Sequence, residues 1–304
     1  GGFNGGIQCQ QIGLVGNIID NADLVGNLAH GGHGLPDGFT AFIGFEWTSN
    51  TGGNNLHRNV IFRNANVPAL PITYFDQWKA EGLRDQLNVQ CRDAGTGCDV
   101  LAIPHNSNLA PEMMFSRYDT DGAMMTAAEA ASRAAMEPVV EVYQHKGSSE
   151  CRTGVVGTTD EDCNFELLSR KVLNGTSDWN QTFAPTSYVR GALKLGLSIE
   201  RSKGVNPFAL GFVGGTDNHN AVAGFTTEYN YASVGSTGVA DSELRFSLAD
   251  ASPPSKFQNG SGGLAVAWAE ENSRDSIFSA IRRRETYATS GTRPIVRVFG
   301  GHVP

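Results

Sequence analysis

The sequence predicts an α/β fold with largely parallel strands, for which a barrel is the natural closed form. Short apolar runs alternate along the chain with stretches of helical periodicity, the pattern of strand–helix–strand units. The 304 residues are 40% hydrophobic and 18% charged, enough for one large barrel- or sandwich-type core or two small ones. Histidines and carboxylates recur where the apolar runs end, which is where α/β barrels gather their chemistry.

Residues 1–38 are rich in Gly and Asn around one apolar stretch, 12–28, that reads as a loose helix. This segment stands apart from a main body over 39–304. Residues 39–45 and 59–62 read as strands joined by a polar loop, a hairpin with a long tip. Residues 74–89 carry Phe75, Trp78, Leu83 and Leu87 at helical spacing. Residues 99–103 predict a buried strand ended by Pro104. The Ala-rich run 126–136 predicts a helix, 138–143 a strand, 188–201 an amphipathic helix and 208–213 another apolar strand. Residues 264–268 predict a strand, 274–284 a helix with Ile277, Phe278 and Ile281 on one face, and 295–299 a last strand. The 37 glycines imply many turns but follow no period, and no internal repeat is visible.

A net charge of −8 without a basic tract argues against binding nucleic-acid backbone or a membrane surface. No apolar run approaches the ~20 residues that span a bilayer. Cys91 and Cys98 bracket one short polar loop, and Cys151 and Cys163 bracket another. Neither pair has the spacing of a structural zinc site. Disulfides fit better than four unlinked thiols in a cytosolic enzyme, and they imply the periplasm or the cell exterior. Cys9 is left over for a partner outside this chain. The chain has no initiating Met and no signal peptide, so it reads as a mature product or a fragment. The sequons at Asn174, Asn180 and Asn259 matter only if the source glycosylates its secreted proteins.

Five metal-competent residues occupy similar places. Glu46 follows the strand ending at Phe45, His57 opens the strand 59–62, and His105 follows the strand 99–103. Asp217 and His219 follow the strand 208–213, and residues two apart on an extended segment point the same way. Imidazole and carboxylate without thiolate suit Zn, Mn or Fe. Each residue alone has a structural reading: a strand-end His, a loop-capping Glu, an Asp in a turn. The shared placement of all five points to metal. No Gly-x-Ser-x-Gly elbow, phosphate-binding Walker loop or dinucleotide-binding glycine motif is present, which disfavours serine hydrolases and nucleotide-dependent enzymes.

Seven segments carry a family resemblance: Phe-Ile-Gly-Phe-Glu-Trp-Thr (42–48), Asn-Leu-His-Arg-Asn-Val-Ile-Phe-Arg (55–63), Ile-Pro-His-Asn-Ser-Asn (103–108), Lys-Gly-Ser-Ser-Glu-Cys (146–151), Thr-Asp-Asn-His (216–219), Trp-Ala-Glu-Glu-Asn-Ser-Arg (268–274) and Tyr-Ala-Thr-Ser-Gly (287–291). Together they resemble the domain of unknown function 3604 family, within the polymerase-and-histidinol-phosphatase (PHP) superfamily, over most of the chain. The resemblance implies a distorted (β/α)7 PHP-type barrel with two or three divalent metal ions at the strand ends. It implies Glu46, His57, His105, Asp217 and His219 as metal ligands, with Glu46 bridging. The superfamily's early His-x-His and Asp-His motifs have no match here. Only His30 and His33 occur in that region, so the chain would lack the first barrel strands, and a second polypeptide could carry them.

The function this implies is metal-dependent hydrolysis of a small phosphorylated substrate, by water activated at the metals. Arg58 and Arg293 are candidate phosphate contacts, and Lys146 lies on the same rim. Arg58 also reads as a solvated loop residue. Asn106 and Asn108 could orient the site or make turn hydrogen bonds. His145, alternating with Tyr143 and Glu141, could ligate, support a ligand or lie on the surface. The run Arg282 to Arg284 reads as a solvated helix end. The same ligands would also serve hydrolysis of an amide or sulfate ester, and a barrel without its early motifs would suit a non-catalytic secreted protein.

Overall fold

Period-2 alternation in short strands decides what this chain buries and where. The computed structural model describes residues 40–51, 54–110, 112–154, 158–167, 185–217, 219, 224–226 and 260–301, with the backbone alone of 8–12. The helix expected over 12–28, apart from Ile12, lies outside the described residues, as do His30, His33 and the three sequons.

Nine described strands form three small sheets. The first is an antiparallel meander of β2 (Ile43–Trp47), β3 (Arg58–Phe62) and β4 (Val100–Pro104). The second has β5 (Val139–Gln144) at its centre, antiparallel to the short β6 (Gly147–Ser148) and parallel to β7 (Gly211–Gly214). The third sets β8 (Leu264–Ala269) between β1 (Gln8–Ile12) and β9 (Thr286–Thr289), both antiparallel to it. The sheets follow one another, β4 beside β5 and β7 beside β8 and β9. Four α-helices are described: α1 (Ala80–Leu87), α2 (Ala127–Met136), α3 (Val189–Lys203) and α4 (Arg274–Arg282).

The class is therefore mixed α/β, and among the described residues the strands do not close into a barrel. The expectation of largely parallel strands is corrected: β5 and β7 are the one parallel pair described. The hairpin of β2 and β3 forms as its polar loop implies. β1 pairs with β8 in the segment read only as Gly- and Asn-rich.

Two further readings are corrected. α1 begins at Ala80, not near Tyr74. The indole of Trp47 donates to the Gln77 carbonyl (2.9 Å) and the Ser49 hydroxyl to that of Trp78 (2.8 Å). Those carbonyls are thus turned toward β2, and Phe75 is left 96% exposed. The strand expected over 295–299 is irregular, with Val298 and Phe299 exposed; β9 lies earlier, at Thr286–Thr289. α2 starts where predicted because Thr126 and Glu129 form a reciprocal capping box.

Adjacent strand residues face opposite ways. Ile61, Leu101, Ile103, Val139, Val213, Ala265 and Ala267 point inward from all three sheets onto Phe278 and Ile281 of α4. Their neighbours Val60, Phe62, Val100 and Ala102 pack outward against Leu83 and Leu87 of α1. Val140 faces α3 through Val189, Ala192 and Ile199. Both predicted disulfides are present, Cys91–Cys98 with Cα atoms 5.0 Å apart and Cys151–Cys163 at 5.1 Å. They fit an oxidising compartment. No described helix is long and apolar enough to cross a membrane.

A buried ionic cluster ties β3, α1 and α2 together. Glu137, at the end of α2, is 1% exposed and accepts from Arg58 (3.2 Å), Arg84 (3.2 Å) and Arg133 (2.9 Å). Burial alone would raise its pKa, but Arg133, Arg58 and Arg84 override this and bring it down to about 2 from 4.5. A carboxylate depressed in the folded state adds stability above its unfolded pKa and loses it as pH falls toward the folded value. The pair of values corresponds to roughly 3 kcal/mol, lost below about pH 4.5. Glu137→Gln is expected to cost about 3–5 kcal/mol at pH 7, since it strands buried cations. Urea unfolding from pH 6 to 3 should then show a smaller acid-induced loss in the variant. Equal losses in both proteins would contradict this account.

Candidate metal centre

The inward faces of the strands turn polar at one end. Glu46 shares a face of β2 with Gly44 and with Phe42, which packs on the inner core. His105 lies two residues beyond the inward Ile103, and Glu141 two beyond the inward Val139. β3 is antiparallel to β2 and β4, so its first end meets their last, and the His105 N–H donates to the His57 carbonyl at 3.4 Å. Residues distant in sequence thereby converge.

Their contacts are direct. His57 Nδ1 is 2.7 Å from Glu46 Oε1, and His105 Nε2 is 3.3 Å from the same oxygen. The two imidazoles have centroids 5.6 Å apart. His219 Nε2 lies 2.9 Å from Asp217 Oδ1. Ligand atoms of Glu46, His57 and His105 all fall within 4.8 Å of one another, and so do those of Glu46, Asp217 and His219. Two three-residue groups therefore share one carboxylate, and together they contain all five ligands expected from sequence.

Asp217 and His219 are not on an extended segment, which corrects the reason given for their pairing. Both adopt left-handed backbone conformations, φ 50° and 54°, as does Asn106 at 59°. Non-Gly residues rarely adopt this region. β7 is short, and the chain leaves it through a tight turn instead of continuing as a strand.

Lys146 does enter the site. Its ammonium contacts Asp217 Oδ2 and the side-chain oxygen of Gln144 (3.2 Å). Asn108 braces this rim, donating to the Lys146 carbonyl (3.1 Å) and accepting from the Ser149 hydroxyl (2.9 Å). His145 is buried, with Nε2 3.5 Å from Asp217 Oδ2. Arg58 does not enter: alternation turns it to the outer face, where it is held by Glu137 and the Leu56 carbonyl. This corrects both its expected phosphate contact and the solvated-loop reading. Arg293 is exposed after β9 and donates to the Gly224 carbonyl (3.3 Å). Arg282 is not a solvated helix end, since it forms two hydrogen bonds to Asp99 (2.8 and 2.5 Å).

Glu141 and Gln144 are the residues that sequence reading missed. The Gln144 amide donates to Glu141 Oε1 (2.9 Å) and lies 3.3 Å from His105 Nδ1. A register irregularity between Glu141 and Tyr143 accompanies this i, i+3 contact. A carboxylate at the centre of the apolar run 138–143 was the available signal.

Electrostatics set the charge states. Burial opposes ionisation of Glu46, but hydrogen bonds from His105 and His57 override it and hold the pKa far below its ordinary value. Burial likewise opposes ionisation of Asp217, and Lys146, His145 and His219 override it. Burial holds His57 down, whereas His219 is raised, chiefly by its bond to Asp217. Glu141 is pushed up to about 7 by burial.

The donor set fits divalent cations. It combines imidazole with carboxylates held ionised, and His105 Nε2 faces Glu46 Oε1 from a fully buried position. The Lys146 ammonium already lies against Asp217, showing that positive charge is favoured there.

Fold and site define a mixed α/β protein with an imidazole–carboxylate centre able to hold metal. The chain belongs to the family described as protein of unknown function (DUF3604), which matches residues 29–303. No curated protein and no solved structure matches it.

Because Glu46 is common to both groups, Glu46→Gln is expected to lower bound metal at both, by about 10–100-fold in affinity. His219→Ala should weaken one group only. Elemental analysis after equilibration with Mn or Zn distinguishes these outcomes. Full metal content in Glu46→Gln would rule out the shared carboxylate.

Proposed function

We propose that this protein is a metal-dependent hydrolase of phosphate esters, of the PHP superfamily type. The supporting observation is the pair of ligand groups joined at Glu46. Glu46, His57 and His105 would hold one divalent cation, and Glu46, Asp217 and His219 a second. When bound, such cations supply Lewis acidity toward a phosphoryl oxygen and lower the pKa of water.

The protein's own groups complete the reading. His105, Glu141 and Asp217 are buried on the deep side, while His219, 45% exposed at its side chain, opens to solvent. Lys146, on the same rim as Asp217, provides a point charge for a substrate oxyanion. Gln144 and Glu141 hold the far side of the His105 ring and so fix its orientation. Lys146 beside the ligand groups would suit a small phosphorylated molecule.

The test uses the full chain loaded with Mn or Zn, an aryl phosphomonoester and a bis-aryl phosphodiester. Hydrolysis should stop with chelator and return with metal. Asp217→Asn should lower kcat/KM by about 100-fold or more, from lost metal affinity and misplacement of Lys146. Metal-replete protein inactive on both ester classes would overturn the assignment. Activity confined to amides or sulfate esters would move it to another bond.

A further inference from the structure

The inward face of the β2–β3–β4 sheet carries a polar side chain that the two ligand groups leave unused. Asn59 lies two residues before the inward Ile61 on β3 and pairs directly with the inward Ile103 on β4. Alternation therefore points it inward as well. Its opposite neighbour on β2 is Glu46. Side chains directly opposite in an antiparallel pair have Cβ atoms about 5 Å apart. The Asn59 carboxamide is thus set beside the carboxylate that both ligand groups share.

Asn59 is 7% exposed, and its side-chain oxygen is buried with no hydrogen-bond partner among the described residues. A buried carbonyl oxygen left without a donor or a cation is costly. Its neighbours on this face, Ile61 and Ile103, are aliphatic, so packing alone does not call for an amide here. The two imidazoles nearby are directed elsewhere, both at Oε1 of Glu46. A side-chain carbonyl is a neutral, hard donor of the kind that oxygen-preferring cations such as Mn take alongside carboxylates. A cation beside Glu46 would give this oxygen the partner it lacks.

We propose that Asn59 is a further ligand of the metal centre, its side-chain oxygen binding the cation held by Glu46, His57 and His105. The assignment rests on the metal-centre reading and is independent of which bond the protein cleaves. It adds a neutral oxygen to two imidazoles and one carboxylate. That addition shifts the preference of this position toward Mn, relative to what the other three ligands select by themselves.

The test strips the full chain of metal and titrates it calorimetrically with Mn and, separately, with Zn. Melting temperatures are recorded with and without metal. Asn59→Leu keeps the branched shape and removes the oxygen. It should weaken Mn binding by about tenfold or more, with a smaller loss for Zn. Its metal-free form should melt no lower than wild type, since an orphaned buried oxygen is gone. Asn59→Asp should bind Mn at least as tightly as wild type, and melt lower without metal because a second carboxylate then lies beside Glu46. That variant decides the matter if Asn59→Leu fails to fold. Unchanged Mn affinity in Asn59→Leu, equal losses of Mn and Zn, or loss of Mn binding in Asn59→Asp would overturn the assignment and leave Asn59 a packing or orienting group. Wild-type protein that binds neither metal would refute the metal centre itself, and Asn59 as its ligand with it.

Discussion

The ionised carboxylate of Glu46, buried between two imidazoles, is the constraint around which the polar end of this fold is arranged. A charge in that position needs donors or cations on several sides. The β2–β3 register supplies His57, and β4 supplies His105, because antiparallel pairing brings the first end of β3 against the last ends of its neighbours. Asp217 and His219 then reach it from the second sheet. Were β2 to slip by one residue, Glu46 would face α1 and Phe45 would face the site. The apolar residues Ile43 and Trp47, packed against α1, prevent that slip. Hydrophobic alternation on one face thus fixes the chemistry on the other.

The same alternation gives the meander two polar centres that do not communicate by contact. His57 and Arg58 are adjacent in sequence and belong to different clusters, one built on Glu46 and one on Glu137. Buried ion pairs of this kind add little net stability over apolar packing, while breaking one is costly. Their retention is better understood as specification. Glu137 accepts from β3, α1 and α2 at once, so only one docking of α1 and α2 on the sheet satisfies it.

The clustering of Glu46, His57, His105, Asp217 and His219 was legible in the sequence because histidines and acids placed at strand ends survive errors in the topology. Glu46, His57 and His105 converge even though their strands are antiparallel and not parallel. The face of a side chain was not legible where the strand start was uncertain by one residue, and Arg58 shows the consequence. Glu141 was hidden because a carboxylate within an apolar run has no local signature of its partners, and Gln144 reaches it through a register irregularity that periodicity does not reveal. The early end of α1 was equally invisible, since it depends on Trp47 and Ser49 capturing carbonyls roughly thirty positions away. β9, with side chains only partly buried, lacked the apolar pattern that the exposed run 295–299 displays.

Left-handed backbone recurs at the same end of the molecule. Asn106, Asp217 and His219 lie in that region, as do Glu112, Glu166 and Arg284 elsewhere, and Asn, Asp and His adopt it more readily than other non-Gly residues. Asn106 directly follows His105, and its amide atoms are buried without a partner among the described residues. Unsatisfied polar atoms do not contribute to folding, and their coincidence with the imidazole–carboxylate cluster needs a compensating term. Within the protein that term is the attraction of Asp217 for Lys146 and for the histidines around it. A cation held at Glu46 would add to it, because every carboxylate in the two ligand groups is already ionised and positioned. Geometry and charge together describe a cluster that could hold a positive ion.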